Sequence, residues 1–124
     1  MITFSFDIDT NIRTATYSGT VTDEELMVAY RELLAKPDYE PSANDLVDLR
    51  HVEKLNVTSA ALQNLISLYS PVDQLGHHTR LAIIAGSDVT YGMSHMYEML
   101  RGDEAPEEIH VFREYDDAVL WLQS

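Results

Sequence analysis

Residues 46–62 read LVDLRHVEKLNVTSAAL, and the parsing of this stretch decides the fold. Leu46, Val47 and Leu49 form a short, nearly continuous apolar run, the pattern of a strand covered on both faces. After a connector, Leu62, Leu65, Ile66 and Tyr69 recur at spacings of three and four, which predicts a helix stopped by Ser70 and Pro71. A loop over 72–78 follows. The same strand-then-helix unit then repeats twice. Leu81 to Ala85 is fully apolar and runs into Gly86, Ser87 and Asp88. Val89, Gly92, Met93, Met96, Tyr97 and Leu100 share one helical face, and Gly102 ends that helix. Beyond an acidic loop over 103–108, Ile109, Val111 and Phe112 predict the last strand, and Ala118, Val119 and Leu122 set a final helix against the sheet.

Toward the amino terminus, Ile2, Phe4, Phe6 and Ile8 alternate with Thr3, Ser5 and Asp7, a period of two that predicts a strand with one buried face. Asp9, Thr10 and Asn11 are turn formers, so residues 12–19 pair back as a hairpin. Thr22 followed by Asp23, Glu24 and Glu25 opens a helix as a capping box, with carboxylates at the positive end of its dipole. Leu26, Ala29, Tyr30, Leu33 and Leu34 carry it inward until Pro37. Strand, strand, helix and three strand–helix pairs predict an α/β fold. We expect a five-stranded mixed sheet, its first strand antiparallel and the rest parallel, with four helices and right-handed crossovers. At 124 residues, one domain over 1–124 is expected.

The net charge of −13 is spread along the chain with no cluster of Lys or Arg. Neither nucleic acid nor an anionic membrane surface is an expected partner, since both need concentrated positive charge. No apolar segment predicts membrane insertion, and residues 1–8 lack a secretory pattern, so a cytoplasmic location is the expectation. The absence of cysteine removes disulfides, thiolate metal sites and thiol nucleophiles. His77 and His78 are adjacent and their side chains diverge, and no other metal-ligand spacing is present, so no metal or other cofactor is assigned. Without a Gly-x-Ser-x-Gly elbow, a phosphate loop or a dinucleotide fingerprint, no catalytic residue is assigned either.

The element order and residues 46–62 resemble the STAS domain of bacterial anti-sigma-factor antagonists, in which an apolar strand ends in Asp and a later Asp-Ser-Ser/Thr-Gly turn opens a helix. Asp48 matches that strand Asp. Asn56, Val57, Thr58 and Ser59 stand at the four turn positions, so Val57 replaces the phosphorylated Ser and Ser59 the Gly. The stretch from Arg80 to Asp88 leading to Tyr91 and Gly92, then Val111 and Phe112 leading to Ala118, Trp121 and Leu122, is similar to a sporulation stage II AA-like offshoot related to the SEC14-like fold. The resemblance implies a regulatory or adaptor domain that binds a protein partner, with Thr58 or Ser59 open to phosphorylation. Its SEC14-like side implies a carrier or sensor of a small apolar, lipid-like ligand.

In parallel sheets ligands gather outside the carboxyl ends of the strands, which points to a rim of Gly19 and Thr20, Asp48 to His51, Gly86 to Asp88, and Arg113 with Glu114. The candidate partner- or ligand-binding residues are Asp48, Arg50 and Ser87 on that rim, the cluster of Tyr91, Gly92 and His95 in the following helix, and Thr58 and Ser59 on the partner-facing surface. Each has a plainer reading. Asp48 can bind local backbone or pair with Arg50 or Arg80, and Ser87 can cap its helix. Gly92 either lets the helix approach the sheet or leaves a hollow walled by Tyr91 and His95. Met93 and Met96 fall on the expected core stripe, whereas Met99 does not. Trp121 beside Leu120 is either a core anchor or apolar surface for a homodimer.

Overall fold

A computed structural model describes residues 1–124. In chain order the elements are β1 (Ile2–Asp7), β2 (Ile12–Thr22), α1 (Asp23–Ala35), β3 (Asn44–Asn56), α2 (Ser59–Leu68), α3 (Ser70–Asp73), β4 (Thr79–Ile84), α4 (Asp88–Arg101), β5 (Glu107–Phe112) and α5 (Tyr115–Leu122). The sheet runs in the order β1-β2-β3-β4-β5, with β1 antiparallel to β2 and every other pair parallel. This is the expected mixed sheet. To the four expected helices it adds α3, a single turn within the stretch read as a loop.

Side chains alternate between two cores because strand residues point to opposite faces. Ala15, Tyr17, Leu49, Leu81 and Ile83 meet Leu26, Tyr30 and Leu33 of α1, Ala61, Leu62 and Leu65 of α2, and Tyr97 of α4. On the other face Ile12, Leu46, Ala82 and Ile84 pack on Ala118 and Leu122 of α5. Thr22 caps α1, its hydroxyl accepting from the Glu25 N–H at 3.3 Å. Asn11, with φ of 58°, takes the left-handed position of the β1–β2 turn, a conformation Asn tolerates better than most residues.

Two expectations are corrected. The third strand does not end near Leu49: β3 continues beside β2 until Asn56 lies against Thr22, while β4 leaves it at Asp48. Asp48, Arg50 and His51 are therefore strand residues at the point where β4 departs. The inward stripe of α4 is also rotated. Thr90 and Ser94 are 3% exposed, whereas Val89 is 66% and Met96 39% exposed. Small polar side chains tolerate this burial because they are satisfied within the helix, the Ser94 hydroxyl donating to the Thr90 carbonyl at 2.7 Å.

Where β4 leaves β3, a Cβ on Gly86 would lie 2.9 Å from Cα of Arg50, so only glycine lets the chain turn here. Gly86→Ala is expected to lower stability by about 1–3 kcal/mol. A denaturant midpoint equal to the parent's would contradict this close contact.

Candidate ligand site

Between the sheet and helices α1, α2 and α4 lies a cavity of about 90 Å³. Phe4, Ala15, Tyr17, Val47, Leu49, Leu81 and Ile83 form its floor, with Leu26, Tyr30, Leu62, Leu65, Met93 and Tyr97 above. The Tyr17 and Tyr30 hydroxyls are 2.7 Å apart and hydrogen-bonded, and the Tyr30 ring meets Phe4 edge-on at 5.3 Å. Burial raises both hydroxyls well above the ordinary tyrosine range, so they stay neutral.

One end of the cavity is polar. Asp45 and Glu107 line it from the amino-terminal starts of β3 and β5, the end opposite the expected rim. Arg13 holds Asp45 through Nε at 2.8 Å and also donates to the Glu40 carbonyl and the Tyr39 hydroxyl. Arg101, its side chain 4% exposed, donates to both Asp73 oxygens at 2.6 and 2.9 Å. Its Nε lies 3.5 Å from Glu107 without forming a hydrogen bond. Burial pushes the Glu107 carboxyl up to about 7; the negative charge of Asp45 adds to the rise and Arg101 opposes it. Near neutral pH this carboxyl can thus donate or accept a hydrogen bond inside an apolar space. A smaller hollow of about 20 Å³ shares Asp45, Tyr69 and Glu107 and continues to exposed His77.

None of the eight residues expected at the site lines this cavity. Asp48 is 5% exposed and accepts from Arg50 three times: from the backbone N–H and Nε at 3.0 Å each, and from Nη2 at 2.8 Å. Burial would raise its carboxyl, but these bonds hold it below the ordinary value. The Arg50 guanidinium also covers the Tyr115 ring at 5.1 Å. Ser87 forms a capping box with Thr90. Thr58 caps α2 while its N–H and hydroxyl donate to Asp23 at 2.8 and 2.7 Å, tying the starts of α1 and α2 together. Ser59 is exposed beside it. Tyr91 and His95 do form a cluster: their rings meet at 4.6 Å, Arg113 covers Tyr91 at 4.2 Å, and His95 Nδ1 is 3.1 Å from Glu98.

Gly92 is exposed, and a Cβ there would meet nothing within 4 Å. Neither close helix–sheet packing nor a walled hollow explains it. Gly92→Ala is expected to stabilise the chain by up to about 1 kcal/mol, the helix-propensity difference, read as a higher Tm. A lower Tm would mean that the site is tighter than described. Trp121 is half-buried, stacked on His110 at 4.4 Å with Arg80 over it at 5.2 Å, and so acts as an anchor for the carboxyl-terminal helix. No group of three or more His, Asp or Glu side chains is placed to hold a metal ion.

Asp45 and Glu107 carry no signal in the sequence, and Tyr69 and Tyr97 are expected there only as core positions of their helices. Thr90, Ser94, Tyr97 and Arg101 are spaced by four, three and four, as regular a helical face as the apolar stripe, and that spacing was the available signal.

In structural comparison the chain is similar to an uncharacterized protein of the DUF3478 family from Shewanella loihica PV-4, described as having a SpoIIAA-like fold. The TM-score is 0.59 at 19% identity, covering 98% of this chain and 92% of that one. The chain therefore has the SpoIIAA-like, STAS-like fold. No protein-family model and no curated protein matches it. No helix is long and apolar enough to cross a membrane.

Proposed function

We propose that this STAS-like domain binds a small apolar molecule in the cavity between its sheet and helices α1, α2 and α4, acting as a carrier or sensor. The observation that carries this reading is an apolar void with one polar end, formed by Glu107 and Asp45, beside a hollow that continues toward the surface. Apolar walls with a few placed polar groups are the usual form of a small-molecule site. At about 90 Å³ the space is smaller than the roughly 150 Å³ that accommodates benzene, so it suits a guest of a few heavy atoms. A longer chain requires α2 and α3 to part from the sheet. The single turn of α3 buries none of its residues and would yield first.

Amide-resolved NMR during titration with linear alcohols, from ethanol to hexanol, tests this. Saturable shifts grouped at Leu65, Tyr69, Leu81, Ile83 and Tyr97 are expected, with a length optimum. Unsaturable shifts scattered over the surface at every chain length would remove the proposal.

A regulatory or adaptor role is the second reading, favoured by the exposed apolar outer face of α4. In that role Ser59, which is exposed, suits modification better than Thr58, whose hydroxyl is bound by Asp23. The rim around Asp48 supports it less, because Arg50 already satisfies that carboxylate.

A further inference from the structure

We propose that the outer face of α4 is a docking surface for a basic amphipathic helix of a protein partner; this rests on the partner-binding reading and names its surface and occupant. Val89, Met96, Met99 and Leu100 are 66%, 39%, 80% and 36% exposed, and with Gly92 they form one stripe along the helix. No element of the fold covers this stripe. Unbranched methionines adapt to differently shaped apolar partners. Gly92 lies within the stripe, exposed and with open space above it, in a helix that would be more stable with alanine. A backbone approaching from outside gives this glycine a purpose that the fold does not, since small residues let helices come close.

Charge selects the occupant. Asp88, Glu98, Asp103 and Glu104 surround the stripe. Two cations reach this helix: Arg101, whose buried guanidinium is committed to Asp73, and Arg113, which is engaged by Asp88 and the Tyr91 ring at the helix's amino-terminal end. Arg113 donates to Asp88 at 3.1 Å and His95 Nδ1 lies 3.1 Å from Glu98, so the unpaired acidic charge sits at the carboxyl-terminal end of the stripe, on exposed Asp103 and Glu104. The face is thus apolar with an acidic end, complementary to a helix with leucine-like residues three and four apart and Lys or Arg flanking one end. A second copy of this chain would set acidic border against acidic border, and an anionic membrane would be repelled.

The test uses the intact chain and a fluorescent Leu/Lys amphipathic peptide about as long as α4, with a Leu/Glu peptide as control, followed by anisotropy. Saturable binding of the Lys peptide alone is expected. Met96→Ser with Met99→Ser should weaken it tenfold or more, and Gly92→Gln should do so without lowering Tm. Glu98→Gln, Asp103→Asn and Glu104→Gln together should flatten its salt dependence more than three equivalent changes at Glu24, Glu25 and Glu32. Circular dichroism confirms that each variant is folded. Equal binding by parent and α4 variants overturns the proposal, as does equal binding of the Glu peptide. It is also overturned by tighter binding to phosphatidylcholine–phosphatidylglycerol vesicles, or by a concentration-dependent dimer that Met99→Ser abolishes. Hydrogen-exchange protection by the peptide at 48–59 instead of α4 removes this surface while leaving the partner-binding reading in place; no peptide binding on any surface removes both.

Discussion

Between about pH 4.5 and pH 7 the raised Glu107 carboxyl is expected to cost the folded chain roughly 3 kcal/mol of stability, and Glu107→Gln is expected to abolish that contribution, leaving the loss in the same direction from Asp45, whose carboxyl is also raised by burial. In the unfolded chain this carboxyl has its ordinary value of 4.5, whereas burial in the native state raises it to about 7. Across that window the native state keeps a proton that the unfolded state has released, so rising pH favours unfolding. Below the window both states are protonated and the stabilisation is complete; above it both are ionised and the slope vanishes. Asp48 acts in the opposite sense. Its native value is lowered, so its contribution is present above its ordinary value of 3.8 and is lost as pH falls through the lower native value. These two carboxyls together favour maximum stability near about pH 4–5. Urea midpoints from pH 4 to pH 8.5 read the effect directly. Parent and Glu107→Gln profiles that run parallel would contradict the buried, cavity-facing position of Glu107.

Leu65→Ala is expected to destabilise the chain by about 2–5 kcal/mol, because Leu65 is 6% exposed and its removal adds to an existing void. The same change brings the cavity toward the size that admits benzene. Benzene should then raise the Tm of the variant by mass action and leave the parent unchanged. A loss below about 1 kcal/mol would show that the surrounding side chains collapse into the space and that no persistent cavity exists there.

The architecture was readable from patterns that act locally. Leu81 to Ala85 could only be a covered strand, and Thr22 and Ser87 cap the helices their positions suggested. Three features were not readable because they depend on contacts distant in sequence. The continuation of β3 through Arg50, His51, Glu53 and Lys54 is mostly charged, with only Val52 and Leu55 turned to the core, and is held by pairing with β2. Tyr97 reaches the core as its spacing suggests, but the rotation of α4 that also buries Thr90 and Ser94 rests on those hydroxyls being satisfied within the helix, and hydropathy alone ranks them below Val89 and Met96. Glu107 belonged to an acidic run and looked solvated like Glu108. Only as the first residue of β5, beside Arg101 and opposite Asp45, does it turn inward.

The expected rim and the polar end of the cavity lie at opposite ends of the sheet because of how far apart in sequence each charge finds its partner. Charged residues after a strand draw attention in sequence, yet Asp48 and Arg50 satisfy each other two residues apart. Asp45 is paired from 32 residues away by Arg13 and shares the cavity with Glu107 from the far edge strand, a juxtaposition that only the parallel sheet creates.

Diffraction from a crystal pressurised with xenon tests the cavity most directly, since xenon enters apolar voids without needing a polar partner. Xenon density among Leu65, Leu81, Ile83 and Tyr97 is the expected result. A refined structure in which those side chains close the space and xenon is found only on the surface would contradict it.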